Sequence, residues 1–266
     1  MPTLPRPSFR QPPINEVVCG VQFRPLPLFQ APHYGLFWQT IRKEYPTSRT
    51  VLPLGKDAIP VSPNERAEVT FQIGPDFPRV WFISSDEACL IQLQHDRFLF
   101  NWRAQDGRNE YPRYPKVIQK FKRHFGEFKE FLKDNALGEP ALLGTELSYI
   151  NNIRPGAGWG NFSEVGEIFP DFSWRRGSRS LPPPEAFNFR SSHAMPAGRL
   201  HVAVATAKFK DNSPLIRFDL TARGAVPEVD EGGLWNWYDQ ANTWIVDAFI
   251  DLTSENMQTN VWQRVT

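Results

Sequence analysis

The sequence predicts an α+β protein made of two similar half-domains. Several segments alternate apolar and polar residues, which is typical of strands with one buried face. Two long segments carry apolar residues at helical spacing. The order strand, short helix, several strands, long helix then occurs twice along the 266 residues. Each half is therefore predicted to be an antiparallel sheet with a short and a long helix on one face.

The first half is predicted to span residues 14–140. It follows an extended lead-in over residues 1–13, where prolines prevent helix formation. The strongest strand pattern covers 97–103, in which Phe98, Phe100 and Trp102 alternate with polar or charged neighbours. The complete set of predicted elements is a strand over 16–24, a helix over 32–45, a surface connection over 46–66, strands near 67–74, 79–85, 88–95 and 97–103, and a helix over 113–134.

The second half is predicted to span residues 141–266. Its predicted elements are a strand near 145–154, a short helix near 161–169, strands near 185–193, 199–208 and 214–223, and a helix over 232–255. A loop between the short helix and the next strand contains Arg175, Arg176 and Arg179 beside Trp174. It could contact nucleic acid or a partner, and the more ordinary interpretation is a solvated loop. The two halves thus follow the same plan.

Individual residues recur along with the elements. Glu146 lies 130 residues after Glu16, and Arg217 lies 120 residues after Arg97, each within a similar strand. The two long helices keep the second offset through the same spacing of apolar residues. Chance agreement between amphipathic helices would explain the helices alone but not the strands before them. We therefore predict an internal duplication, which resembles the TATA-binding-protein-like and helix-grip folds and by itself implies no function.

Composition and charge narrow the class of protein. Because 41% of the residues are hydrophobic, the chain can bury a large core. Its net charge is +1. The near-neutral charge argues against a protein that binds nucleic acid mainly by neutralising phosphates. Cys19 and Cys89 are too few for a disulfide framework, which predicts a reduced, cytoplasmic setting. The sequence has no apolar run of membrane-spanning length, so we expect no membrane partner.

The polar face of the predicted sheet holds the candidate binding residues. Strand alternation places basic and amide side chains of both halves on that face, and Trp102 lies in the most regular of these strands. The candidates are Arg24, Arg97, Asn101, Trp102, Arg103, Arg154, Arg217 and Arg223. Guanidinium groups bind phosphates and carboxylates and stack on planar groups. The more ordinary interpretation is a solvated face on which Glu16, Glu146 and Asp219 neutralise these arginines across strands.

The sequence offers no catalytic or metal-binding pattern. The five histidines fall on different predicted elements without metal-ligand spacing. A phosphate-binding loop, a nucleophile elbow and a dinucleotide-binding motif are also absent from the sequence. The glycine-rich segment over 156–160 lacks a lysine that could bind a phosphate and is expected to be a connector. We therefore predict no catalytic residues, no metal and no cofactor, and the sequence favours a protein that is not an enzyme.

Several segments resemble a sporadically distributed family of uncharacterised bacterial proteins of about 250 residues. The segments are 12–23 (PPINEVVCGVQF), 35–38 (GLFW), 94–103 (QHDRFLFNWR), 111–114 (YPRY) and a C-terminal helix followed by Trp262. The resemblance implies no activity and no site residues, because the family has none established. Its patchy distribution is similar to that of defence, immunity and toxin–antitoxin genes.

The leading functional hypothesis is a non-enzymatic binding protein with an unknown protein partner, as an antitoxin-like, immunity-like or defence-associated component. The first alternative is a small-ligand-binding protein or enzyme that uses a cavity between helix and sheet. The second alternative is nucleic-acid binding through the arginine-bearing face, which we do not favour because of the low net charge.

Overall fold

The fold is described from a computed structural model of the chain. The described residues are 7–55, 78–105, 109–156, 158–174, 180–209, 211–225 and 231–265. The predicted strand near 67–74 and the loop with Arg175, Arg176 and Arg179 lie outside these residues.

The described residues form nine strands and four α-helices. The first part of the chain contains β1 (Ile14–Phe23), α1 (Ala31–Ile41), β2 (Thr47–Val51), β3 (Arg79–Ile83), β4 (Cys89–Gln94), β5 (Arg97–Arg103) and α2 (Tyr114–Asp134). The second part contains β6 (Leu142–Ile153), α3 (Val165–Ile168), β7 (Asn188–Met195), β8 (Gly198–Lys208), β9 (Pro214–Ala225) and α4 (Glu231–Leu252). The predicted α+β class is confirmed.

All nine strands belong to one antiparallel sheet. Their order is β2-β3-β4-β5-β1-β6-β9-β8-β7, so β1 and β6 are neighbours near the middle. The β1–β6 pairing has Val18 opposite Ser148. Strands from the two parts of the chain therefore continue into each other without a break. The predicted duplication stays a prediction.

The helices cover one face of the sheet, as the strand alternation predicts. Val17, Cys19 and Phe23 of β1 point to that face and are fully buried. Phe98 of β5 stacks on Phe128 of α2 with ring centroids 5.3 Å apart. Burial of a large apolar side chain stabilises a fold by about 1.5–3 kcal/mol. This aromatic layer therefore holds the long helices against the sheet and leaves the opposite face, called the open face below, without a helix among the described residues.

Helix α2 begins where the sequence predicts and has a local reason to do so. Arg113 precedes it with a φ of 72°, and Pro115 follows in its first turn. Proline is favoured in the first turn because the amide it lacks would have no intrahelical partner there. The helix buries the stripe that contains Phe121 and Phe125. It ends at Asp134, as predicted.

The segment predicted as a long surface connection contains a strand. Residues Thr47–Val51 form β2 and pair with β3. The segment TSRTV has a proline on each side and does not alternate apolar with polar residues, so its sequence did not indicate a strand. Four of its five residues are exposed in the structure. Helix α1 also ends earlier than predicted, at Ile41. Tyr45, predicted in that helix, lies just after the turn that follows it and is fully buried.

The segments near the two ends of the chain lie side by side. Phe9 forms an isolated β-bridge with Arg264, and the Phe9 ring contacts Phe249 of α4 and Trp262. The described N-terminal segment therefore packs against the C-terminal end of α4. Among the helices of the described residues, none is long and apolar enough to cross a membrane.

Candidate functional site

A wide groove opens at one end of the open face. It has a volume of about 1150 Å³ and is lined by residues from the ends of several strands. Its described lining contains five cationic side chains, Arg49, Arg103, Arg154, Lys208 and Arg217. We call this site the arginine groove. Two aromatic side chains, Trp81 and Phe209, also line it.

Strand geometry explains why these side chains meet. Residues Arg103 and Glu16 face each other in the β5–β1 pair, and Arg217 faces Asn152 in the β9–β6 pair. Because antiparallel strands run in opposite directions, the end of β5 and the start of β9 reach the same end of the sheet. Arg154 follows the end of β6 directly, which adds a third arginine there.

Acidic groups partly neutralise the groove. The Nε of Arg217 donates to both carboxylate oxygens of Asp219 at 2.9 and 2.8 Å. Two further acidic residues, Glu87 and Asp211, belong to the described lining. The Nη2 of Arg103 donates to the backbone carbonyl of Glu87 at 3.2 Å. The groove thus keeps more cationic than anionic side chains.

The aromatic rings bring flat apolar surface into the groove. The guanidinium of Arg154 lies 4.1 Å from the centroid of the Phe209 ring. Trp81 donates through its indole nitrogen to Gln92 at 3.0 Å. A guanidinium stacked on a ring, as Arg154 is on Phe209, is held in place and can still present its N–H donors to a partner.

A chain of hydrogen bonds connects the groove to the neighbouring strands. Gln92 donates to Asn101 at 2.8 Å, and Asn101 donates to the carboxylate of Glu16 at 2.6 Å. Burial raises the pKa of Glu16, although Asn101 and Arg103 act against this change. Burial also raises the pKa of Asp219, with Arg217 opposing it. Glu16 and Asp219 lie next to Arg103 and Arg217 of the groove and limit how strongly it can attract anions.

The other predicted arginines lie elsewhere. Arg97 is 8% exposed, forms an ion pair with Asp96 at 3.4 Å and donates to the carbonyl of Gly55 at 3.0 Å. Arg223 forms an ion pair with Glu146 at 2.7 Å. Both line a recess of about 40 Å³ at the opposite end of the open face, which has room for little more than water.

Three predicted candidates lie outside both sites. Trp102 points to the helix-covered face, is 5% exposed and contacts Tyr111 with ring centroids 5.3 Å apart. Asn101 is 3% exposed and belongs to the hydrogen-bonded chain. Arg24 is exposed just beyond β1, where its backbone nitrogen donates to Ala141. The structure therefore brings together Arg103, Arg154 and Arg217 of the eight candidates.

The sequence did not point to Arg49, Lys208, Trp81 or Phe209 as site residues. Arg49 lies opposite Trp81 in the β2–β3 pair, so its position depends on a strand that the sequence did not predict. Lys208 ends β8. The only sequence signal for β2 is the alternation of Thr47, Arg49 and Val51, which is too short to indicate a strand by itself. Among the described residues, no three histidines, cysteines or acids cluster in a way that could hold a metal ion.

Comparison of the chain with protein-family models, with curated proteins and with solved structures gives no match.

Proposed function

We propose that this protein is a binding protein that holds an acidic segment of a partner protein in the arginine groove. The observation that carries the proposal is the convergence of five cationic side chains and two aromatic rings on one open groove. Guanidinium groups bind carboxylates with two parallel hydrogen bonds. The rings of Trp81 and Phe209 add apolar contact area, which interface centres commonly use.

A protein partner suits the groove better than nucleic acid. Binding to a phosphate backbone depends on many uncompensated cations. Here Asp219 already engages Arg217, and the whole chain has a net charge of only +1. A short acidic segment needs fewer cations than a phosphate backbone. A toxin or effector neutralised by this chain would be one such partner, in keeping with the family resemblance.

Co-purification from a host that contains the partner tests this proposal. The triple substitution R49Q/R154Q/K208Q removes three exposed charges from the groove. We expect the unsubstituted chain to recover a partner in stoichiometric amount and the triple variant to recover at least about tenfold less, because each charged hydrogen bond contributes about 1.5–3 kcal/mol. The measurement is mass spectrometry of the recovered protein together with nucleotide analysis.

A charge-matched variant separates groove effects from general charge effects. R24Q/K43Q/K116Q removes three exposed charges that do not line the groove, and it should recover the partner like the unsubstituted chain. Equal recovery by both triple variants would contradict the proposal. Recovery of nuclease-sensitive material, with affinity falling steeply with salt, would instead favour the nucleic-acid alternative.

We also infer that the two halves of the chain arose by internal duplication. The strand register supports this inference, since Glu16 faces Arg103 in β1–β5 and Glu146 faces Arg223 in β6–β9. These pairs have the offsets of 130 and 120 residues that the sequence repeat predicts. Superposition of 14–134 on 142–252 in an experimental structure tests it. A fit that fails to bring Glu16 onto Glu146 would contradict it.

A further inference from the structure

A second cavity lies on the helix-covered side of the sheet. It has a volume of about 440 Å³ and opens between the start of α2, the middle of α4 and the N-terminal segment. Small-molecule sites commonly measure about 300–1,000 Å³ and lie between packed elements. The cavity is separated from the arginine groove by the full thickness of the sheet.

The walls of this cavity are mainly apolar. Leu220 of β9 and Ile245, Val246 and Phe249 of α4 line one side, and Phe9 lines another. Phe9 is held against Phe249 with ring centroids 5.3 Å apart. Apolar walls of this kind favour a ligand with an apolar body, because the ligand leaves water on binding.

Polar groups meet in one part of the cavity. The hydroxyl of Tyr149 donates to Oδ1 of Asn242 at 2.7 Å, and the hydroxyls of Tyr111 and Tyr149 are 3.1 Å apart. Since Tyr149 has one proton, Tyr111 must be the donor in the second bond. Burial raises the pKa of both phenols, so they remain neutral donors.

Asn242 supplies a donor that no described residue of the chain accepts. It is 5% exposed and lines the cavity. Its Oδ1 accepts from Tyr149, and within the described part of the chain its amide nitrogen has no hydrogen-bond acceptor. The amide nitrogen can therefore donate to an oxygen acceptor on a ligand in the cavity.

The charge at the cavity favours an anion. Arg113 is the only charged side chain among the described residues that line it. One Nη of Arg113 donates to the carbonyl of Phe9 at 2.8 Å, and its guanidinium lies 5.8 Å from the centroid of the Tyr111 ring. The remaining N–H groups can meet a carboxylate in the two-bond geometry that arginine favours. The positive end of α2 begins at the next residue, Tyr114, and adds to this preference.

We propose that this cavity binds a carboxylate with an apolar tail. Arg113 holds the carboxylate, Asn242 offers a second donor, and the tail lies against Leu220, Ile245 and Phe249. A free aliphatic or aromatic carboxylic acid has this chemistry. The site is independent of the arginine groove.

Three probes with the same tail and different head groups test the proposal by calorimetry, at concentrations below those at which they form micelles. Decanoate carries a carboxylate, decanol is neutral and decyltrimethylammonium is cationic. We expect decanoate to bind about tenfold more tightly than decanol, because a charged hydrogen bond contributes more than a neutral one. The cationic probe should bind most weakly. Absence of decanoate binding, or equal binding of all three, would overturn the proposal.

Two variants locate the site. R113Q should reduce decanoate affinity about tenfold and decanol affinity much less, since only the carboxylate needs the charge. The decanol affinity of R113Q also reports any change in the cavity wall caused by loss of the hydrogen bond to Phe9. V246W fills the cavity and should abolish binding of both probes. K116Q, one turn away on the exposed side of α2, is the matched control and should bind like the unsubstituted chain.

The outcomes separate this site from the groove. Decanoate binding that is unaffected by R113Q would show that Arg113 does not hold the carboxylate, and it would overturn the proposal even if V246W failed to fold. The groove variant R49Q/R154Q/K208Q should bind decanoate normally. If this groove variant recovers less partner but binds decanoate normally, the two sites are distinct.

Discussion

His124 shows how one buried residue couples stability to pH. It lies in α2 and is 1% exposed. Its Nε2 lies 2.8 Å from the hydroxyl of Tyr45 and 2.9 Å from a guanidinium nitrogen of Arg123. Its Nδ1 lies 2.8 Å from the carboxylate of Glu127. Because Arg123 can only donate, Nε2 is an acceptor and the neutral ring donates to Glu127 through Nδ1–H.

We expect His124 to make the protein less stable in mild acid. Burial, followed by the nearby charge of Arg123, lowers the pKa of His124 to about 4, whereas an unfolded histidine has a pKa of about 6.5. Between these values the unfolded chain binds a proton that the folded chain does not. The stability is therefore complete above about pH 6.5 and falls by about 3 kcal/mol on the way to pH 4.

Urea denaturation between pH 4 and pH 7 measures this effect as a difference between variants. H124Q should have a lower unfolding free energy at pH 7 and a shallower loss toward pH 4. Substitution of the exposed His193 by glutamine is the control. If H124Q and the unsubstituted chain lost stability in parallel, His124 would not be the titrating group.

At the scale of elements, the sequence predicted those whose apolar pattern is regular. Strand β5 and the end of α2 match their predicted limits because alternation and a long apolar stripe specify them locally. Strand β2 was missed because its residues are exposed and pairing with β3 determines it. The same holds for the residues of the arginine groove. Strand alternation predicted the face on which Arg103 and Arg217 lie, whereas the position of Arg49 depends on β2, which was not predicted.

Contacts between distant segments explain what the sequence could not specify about the site. Arg97 has the same pattern of neighbours as Arg217, yet Gly55 accepts a hydrogen bond from it and Asp96 pairs with it. By contrast, the side chain of Arg217 is 47% exposed. Arg97 is buried because Gly55, which precedes it by 42 residues in the sequence, lies against it. Strand alternation does not determine where the segment around Gly55 lies.

The turn between β7 and β8 depends on a glycine. Gly198 has a φ of 152°, and a Cβ at this position would overlap the backbone carbonyl of Arg223 in β9. The G198A variant should therefore lose about 2 kcal/mol or more of unfolding free energy, through backbone strain and displacement of β9. Thermal and urea unfolding provide the measurement.

Another glycine provides the matched comparison. Gly126 lies within α2, and a Cβ there would meet no atom within 4 Å. Because alanine is the better helix former by about 1 kcal/mol, G126A should be as stable as the unsubstituted chain or more so. If the unfolding free energy of G198A fell by no more than that of G126A changes, the turn would tolerate a side chain.

At the scale of the whole molecule, one sheet separates two different surfaces. The open face carries cations near solvent, and the helix-covered face carries the apolar cavity. The central pair β1–β6 connects them, and Tyr238 of α4 donates to the carbonyl of Gly20 in β1 at 2.5 Å. This arrangement explains how the two proposed sites can be changed one at a time.

The central position of β1 and β6 predicts the order of amide exchange. Strand β1 is hydrogen-bonded to β5 on one side and to β6 on the other, whereas β2 is exposed at one end of the strand order. We expect the slowest deuterium exchange in β1 and β6, near the free energy of global unfolding, and fast exchange in β2. Mass spectrometry of exchanged fragments measures it, and similar protection of β1 and β2 would contradict it.

The position of β1 also has a consequence for synthesis of the chain. The ribosome produces β1 before either of its neighbours, because β5 and β6 come later in sequence. Until β5 emerges, an apolar strand with Val17, Cys19 and Val21 has no partner, and its second edge waits longer, for β6. Unpaired strand edges invite pairing between molecules. The strand that is best protected in the finished fold is thus the one that a nascent chain must shield for longest.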